Sequence, residues 1–402
     1  MIDLLSTRTR YIESSELAEI VSKIESLVNR GYRVIPFAVG EPDPSAIPIK
    51  ELSKILADIL AENPSSILYT PTEGIEDLRK EIANFIYRYD GYRVDYDNII
   101  VTSGATLAID LILRLFIDPG DIVIVENPSY INTIHALKSY GAKIIGVKMD
   151  SRGMDTYALE EILRSMDSNR VKLVYTMPLG QNPTGISMDL DRRRHLLELA
   201  SQYNFIIVED TAYNYLVLDN IYIPSLKSMD RERRVISVGT LSKVMGTGFR
   251  VGWTVLEEPI KSMAISIKQT VDFCAPAISQ YLALEFLRRG LIDISIDRSR
   301  SIYRAKRDVL IEAVNTYISE AIYVKPIAGM FIMLHLPGID GIKFAKELIE
   351  KYHVALLPGK PFYIDNSGRE SIRICFARPS IEDIEIGIRY IADLYRSYIS
   401  RS

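Results

Sequence analysis

Residues 237–253 read Ser-Val-Gly-Thr-Leu-Ser-Lys-Val-Met-Gly-Thr-Gly-Phe-Arg-Val-Gly-Trp. The stretch sets Lys243, the hydroxyls of Thr240 and Ser242, several glycines and Arg250 between apolar runs at 234–238 and 251–256. Short apolar runs bounded by glycine and polar residues read as buried strands, which places Lys243 in a loop between two of them. The residue set suits an aldehyde that carries a phosphate. A lysine amine condenses with a carbonyl, and a planar guanidinium grips a phosphate at two points, which an ammonium cannot do.

Outward from this loop, further strand-like runs occur at 121–125, 144–147, 171–175 and 205–208, with amphipathic helical stretches at 131–140, 156–166 and 190–203. This alternation predicts an α/β fold whose large domain holds a mainly parallel sheet flanked by helices. In such a sheet the ligand crevice lies beyond the carboxyl ends of the strands. From about residue 294 the pattern changes to a long helix, short strands near 322–325, 330–335 and 371–376, and helices at about 341–351 and 381–396. That is a smaller α+β domain. An opening helix near 15–30 and the turn-rich stretch 39–44 are assigned to it, giving a large domain over 56–293 and a small one from 1–55 plus 294–402. No internal repeat or low-complexity tract interrupts the plan.

A chain of 402 residues with 48% hydrophobic side chains can build two such cores. Its formal charge of -4 leaves no basic excess for a nucleic-acid backbone. Cys274 and Cys375 lie far apart without metal-ligand spacing, so neither a disulfide framework nor a metal site is expected, and a cytoplasmic setting fits. The first ten residues lack the apolar core of a secretory signal. The most membrane-like run, 99–117, contains Ser103, Asp110 and Arg114, which would be costly in lipid.

The strand ends carry the polar residues. Glu209, Asp210, Thr211, Ala212 and Tyr213 follow the run at 205–208, and Thr-Met-Pro-Leu-Gly-Gln-Asn-Pro-Thr-Gly (176–185) follows 171–175. After a loop at 101–104, a helix beginning at Ala105 and Thr106 would turn free N–H groups and a positive dipole end toward an anion. Taken singly, Asp210 reads better as a turn or cap residue, Asn182 to Gly185 as a tight turn, and Ser103-Gly104 as a helix start. Competing motifs fail. Gly246-Thr-Gly248-Phe-Arg-Val lacks the third glycine of a dinucleotide site, Gly239 to Lys243 is no P-loop, and proline bars Asn182-Pro183-Thr184 from glycosylation.

Eight motifs occur in one order: Gly-Glu-Pro-Asp (40–43), Tyr-Thr-Pro-Thr-Glu-Gly (69–74), Ser-Gly-Ala-Thr (103–106), Glu-Asn-Pro-Ser-Tyr (126–130), Gln-Asn-Pro-Thr-Gly (181–185), Glu-Asp-Thr-Ala-Tyr (209–213), the lysine segment, and Arg-Ile-Cys-Phe-Ala (373–377). With these the chain resembles the class I/II pyridoxal-phosphate-dependent aminotransferases of fold type I. Gln181 to Gly185, Ile267-Lys268-Gln269 and Pro276 to Gln280 are most similar to the aminoadipate, kynurenine and broad-range branch.

The resemblance implies the following roles. Lys243 would bind pyridoxal 5'-phosphate as a Schiff base and then move the substrate Cα proton. Asp210 would keep the pyridine nitrogen protonated, Asn182 and Tyr213 would bond the ring's phenolic oxygen, and Tyr130 would stack on its face. The phosphate would be held by the loop ending at Gly104, the N–H groups of Ala105 and Thr106, the hydroxyl of Thr240 or Ser242, and Arg250. Tyr69 would reach it from the neighbouring subunit of a homodimer. Arg373, with Asn182 and the backbone of Gly40, would take the substrate α-carboxylate.

The chain departs from the family's habits at Ala105-Thr106, where Ser-Gln is frequent, and at Thr240, Thr247 and Ala328, which puts individual phosphate contacts and the pocket shape in doubt. The implied reaction is ping-pong transfer of an amino group from an L-amino acid to a 2-oxo acid, with 2-oxoglutarate as the expected acceptor. The residues expected to choose the donor lie near the opening helix, at 69–72 and at 327–331. A β-lyase of the same fold, or a non-catalytic ligand-sensing domain, are the alternatives; against the latter, the stretch before Gly40 is short for a winged-helix module.

Overall fold

The computed structural model describes residues 4–6, 8–9, 16–365 and 367–400. Eight strands form the main sheet, in the order Ile99–Thr102, Gly252–Val255, Val235–Thr240, Ile206–Asp210, Val171–Thr176, Ile122–Asn127, Lys143–Asp150 and Gly153–Met154. The four pairings from Val235–Thr240 to Lys143–Asp150 are parallel. Gly252–Val255 runs antiparallel to both neighbours, and Gly153–Met154 folds back on Lys143–Asp150. This is the α/β architecture that the alternating pattern predicts.

The central strands are apolar on both sides because helices cover both faces. Val123, Val125, Leu173 and Val208 pack toward Ala108, Ile109 and Ile112 of the helix Ala105–Phe116. Their neighbours along the strands, Ile122, Ile124, Val174 and Ile207, pack on the other face with Leu159, Leu163, Leu196 and Leu199 of the helices Thr156–Ser165 and Leu190–Tyr203. The period-two alternation of a strand thus feeds two separate cores.

The apolar run 99–117 resolves into a strand and a helix. Val101, expected in a loop, lies within Ile99–Thr102 and pairs with Trp253. A four-residue strand followed almost at once by an apolar helix reads as one continuous run, which hides the break between them. Asp110 and Arg114 meet one turn apart on the helix surface at 2.8 Å. Among the described residues no helix is long and apolar enough to cross a membrane.

A second sheet, antiparallel, orders Phe331–His335, Ser371–Cys375 and Leu357–Pro358. The helices Leu291–Tyr317, Gly341–Tyr352 and Ile381–Ile399 pack around it. Residues 322–325 do not form the expected strand; only Ile322 pairs, in an isolated bridge with His335. Pro326 follows directly, with no N–H to continue a ladder, and its carbonyl accepts from Arg307 at 3.0 Å.

The opening helix spans Glu16–Asn29; residue 15, where it was expected to start, lies outside the described residues. Beyond it, Ile35–Pro36 pairs in parallel with Val354–Ala355, and Cys375 N–H donates to the Phe37 carbonyl at 2.8 Å. These bonds carry residues 37–41 to the strand that bears Arg373. The expected domain boundaries at 55/56 and 293/294 fall inside the helices Ile49–Glu62 and Leu291–Tyr317.

Candidate active site

The carboxyl ends of Val171–Thr176, Ile206–Asp210 and Val235–Thr240 open onto a cavity of about 260 Å³, bounded on its far side by Val39, Gly40, Phe331 and Arg373. Gly40, Ala105, Thr106, Tyr130, Asn182, Asp210, Tyr213, Thr240, Ser242, Lys243, Arg250 and Arg373 all line it. Gly104 stands beside it, against the Arg250 guanidinium. Tyr69 alone among the expected residues points elsewhere: it is 85% exposed and meets Phe273 edge-on at 5.1 Å.

One end of the cavity is built to hold an anion. The helix Ala105–Phe116 makes its first backbone bonds from Leu107 and Ala108 to the Gly104 carbonyl, at 3.2 and 3.5 Å. The N–H groups of Ala105 and Thr106 are therefore open to the cavity, at the positive end of the helix dipole. Gly104 takes φ 82°, a conformation that favours glycine, and a Cβ there would stand 2.4 Å from an Arg250 nitrogen and push the guanidinium from its place. Arg250 itself is left-handed at φ 54° and donates to the carbonyls of Ser103 (3.2 Å) and Thr247 (3.3 Å). The Thr240 hydroxyl is engaged within its own loop, 2.9 Å from the Val251 carbonyl and accepting from Ser242 N–H at 3.1 Å. Two backbone donors and a guanidinium, beside the Thr240 and Ser242 hydroxyls that lie 2.9 Å apart, make a donor set that fits a phosphate.

At the centre, the Lys243 amine donates to the Gly40 carbonyl at 2.9 Å and lies 5.9 Å from the Tyr213 ring centre. Burial pulls its pKa down; Cys375 and Asp210 oppose this, while the charges of Arg373 and Arg250 add to it. A lowered pKa enlarges the neutral, nucleophilic fraction of the amine. Asp210, 3% exposed, accepts from the Tyr175 hydroxyl at 2.8 Å and from Ala212 N–H at 3.1 Å. Burial pushes its pKa up, and those two bonds and the charge of Lys243 hold it back. Neither bonded partner is a cation. A protonated ring nitrogen in the cavity is the counter-charge that this carboxylate lacks.

Arg373 closes the opposite end. It is 3% exposed, donates to Asn182 Oδ1 at 3.0 Å and to the Ala38 carbonyl, and leaves its Nε without a partner. The rings of Phe331 and Phe362 flank its guanidinium at 4.5 and 5.1 Å. Burial brings its pKa down to about 10, which keeps it charged at neutral pH. A flat cation held between two rings with one edge toward the cavity suits a carboxylate.

Asn182 is placed by the turn around it. Gln181 donates to Glu126 at 3.0 Å and to the Pro128 carbonyl at 2.8 Å, and accepts from the Thr184 hydroxyl at 2.6 Å. Glu126 also accepts from the Thr176 hydroxyl at 2.6 Å, and burial raises its pKa to about 7. The turn then docks on the strand carrying Phe331 through bare backbone. A Cβ on Gly180 would lie 2.7 Å from the Gly329 nitrogen, and one on Gly185 would lie 2.2 Å from the Phe331 carbonyl.

Several residues escape the sequence reading. Tyr175 has a faint signal, a lone hydroxyl ending an aliphatic strand. Phe362 and the Ala38 carbonyl have none, because each reaches Arg373 only through the packing of remote segments.

Fold and site together define an enzyme of the pyridoxal-phosphate type. Residues 32–391 match the family described as aminotransferase class I and II. The chain is 38% identical to an uncharacterized aminotransferase of Saccharolobus solfataricus, over 98% of each chain. It superposes with a TM-score of 0.96 on the crystal structure of an archaeal alanine:glyoxylate aminotransferase, at 47% identity, covering 98% of this chain and 99% of that one. A kynurenine aminotransferase of Pyrococcus horikoshii, solved with PMP and kynurenine, gives 0.92 at 34% identity and 98% coverage of both. The chain belongs to the class I and II aminotransferase family: it is a pyridoxal-phosphate-dependent aminotransferase of fold type I, similar to the aminoadipate and kynurenine branch.

Proposed function

We propose that this aminotransferase moves the amino group of an L-amino acid to 2-oxoglutarate by a ping-pong mechanism. The observation that carries the catalytic reading is the convergence in one cavity of the Lys243 amine, the buried Asp210 carboxylate and the buried Arg373 fork. Bound pyridoxal phosphate supplies an electron-accepting ring conjugated to the carbon that gains and loses the amino group. Arg373 and Asn182 hold the substrate carboxylate and so fix which Cα–H bond faces Lys243. Lys243, the amine that would hold the cofactor, would act as the base that takes the proton from the substrate Cα and as the acid that gives it up again. Asp210 holds a proton at the ring nitrogen, which Tyr175 supports by keeping the carboxylate ionised. Tyr130 would stack on the ring face, and Asn182 and Tyr213 would bond its phenolic oxygen.

For the phosphate we assign Ala105, Thr106, Arg250 and one of the hydroxyls of Thr240 and Ser242, which lie 2.9 Å from each other. The exposure of Tyr69 supports its delivery to a second subunit of a homodimer with shared sites, and the two unpaired cysteines fit a cytoplasmic setting. The division into a large domain, 56–293, and a small one, 1–55 plus 294–402, belongs to the same proposal.

Lys243→Ala should abolish covalent cofactor attachment, seen by mass spectrometry after borohydride, together with turnover; persisting turnover would reassign the lysine. A panel of amino donors, each tried with 2-oxoglutarate, pyruvate and glyoxylate, tests the acceptor. Glyoxylate is the chief competitor because the archaeal relative is named for it. Release of pyruvate and ammonia without a 2-oxo acid would mark a β-lyase instead.

A further inference from the structure

Lys268 is 0% exposed, on the helix Ile260–Val271. Its amine donates to Asp272 Oδ1 at 2.7 Å. Asp272 caps the carboxyl end of that helix, where the backbone carbonyls repel a carboxylate. A charged pair in so unfavourable a place needs a reason. The other oxygen of Asp272 accepts from the Ser103 hydroxyl at 3.2 Å, and the Ser103 carbonyl accepts from Arg250, also at 3.2 Å. Ser103 is thus held by its side chain from one direction and by its backbone from the other. It immediately precedes Gly104, whose φ of 82° sends the chain into the helix that opens with Ala105 and Thr106.

We propose that the Lys268–Asp272 pair is a positioning device for the phosphate cradle. By fixing Ser103 it makes the N–H groups of Ala105 and Thr106 and the Arg250 guanidinium face one point. Neither Lys268 nor Asp272 lines the cavity, so the pair acts only through Ser103. The neutral alternative, that the pair merely ties a helix end to a loop, would affect stability but not the recognition of one chemical group. The inference rests on the reading of that cradle as the phosphate site.

The test uses two ligands that differ in the phosphate alone. Apoprotein is titrated by absorbance with pyridoxal phosphate and with pyridoxal, for wild type, Ser103→Ala, Asp272→Asn and the double variant. The wild type should prefer the phosphorylated ligand. Ser103→Ala should reduce that preference about tenfold, the size of one lost hydrogen bond to an ordered loop. Asp272→Asn should reduce it at least as much, and the double variant no further, because the two residues act in series. Pyridoxal affinity should stay within about twofold throughout. Asp272→Asn strands a buried ammonium; should that variant fail to fold, Ser103→Ala, which leaves the ion pair intact, decides the matter. An unchanged preference in Ser103→Ala, or a parallel fall for both ligands, overturns the brace and leaves the cradle standing. A wild type that does not prefer the phosphorylated ligand overturns the cradle and the brace together.

Discussion

Replacing Tyr175 by Phe would delete one oxygen and, with it, the 2.8 Å bond that the phenol donates to Asp210. Both residues are buried, and the carboxylate keeps only its bond from Ala212 N–H. A hydrogen bond to a buried charged group is worth roughly 1.5–3 kcal/mol, which corresponds to about one to two pKa units. Burial already raises Asp210, so the variant should bind its proton at a pH about one to two units higher than the wild type. Cofactor binding needs the ionised carboxylate. Above both pKa values the two apoproteins should therefore take up pyridoxal phosphate with similar affinity. As the pH falls, the variant meets the cost of deprotonation first, and the ratio of its dissociation constant to that of the wild type should climb to about 10–100. Absorbance titrations from acid to alkaline pH read this ratio directly, and other groups that titrate in both proteins cancel in it. A ratio that does not vary with pH would show that Tyr175 does not control the charge of Asp210.

Arg373→Lys should lower kcat/KM for the amino donor about a hundredfold, through a higher KM and a lower kcat together, since an ammonium keeps the charge but loses the two-point grip that orients the substrate and the stacking between Phe331 and Phe362. Steady-state kinetics check this, and an unchanged KM would place the carboxylate elsewhere. Glu126→Gln should alter how stability depends on pH. The folded pKa of Glu126 is raised to about 7 from 4.5, so the native state holds the proton more tightly than the unfolded chain does. The resulting stabilisation is complete below pH 4.5 and declines as the pH rises through 7, a change of about 3 kcal/mol that the amide lacks. Urea unfolding of both apoproteins on either side of that window should show the gap moving in the variant's favour; parallel pH profiles would count against it.

The α/β plan was legible because each buried strand is a short apolar run followed by its polar payload. Asp210 stands two residues after one such run and Asn182 lies in the polar turn that follows another, and the eight motifs set the remaining site residues around them. Local pattern fails where tertiary contact decides. The strand Ile99–Thr102 pairs with residues some 150 positions away and merges by eye into the next helix. The region 322–325 has strand-like residues but meets Pro326. The environment of Arg373 is drawn from residues 38, 182, 331 and 362, and no spacing rule links them.

The bare-backbone seam at Gly180 and Gly329 has a consequence for how this scaffold can diversify. With no space for even a methyl group between the two chains, the segment presenting Asn182 and the strand presenting Phe331 behave as a single welded jaw. The grip on the invariant end of every substrate is therefore insulated from drift. Adaptation to new side chains is left to lining residues outside that weld, such as Val39, Glu41 and Thr247, which can change without loosening it.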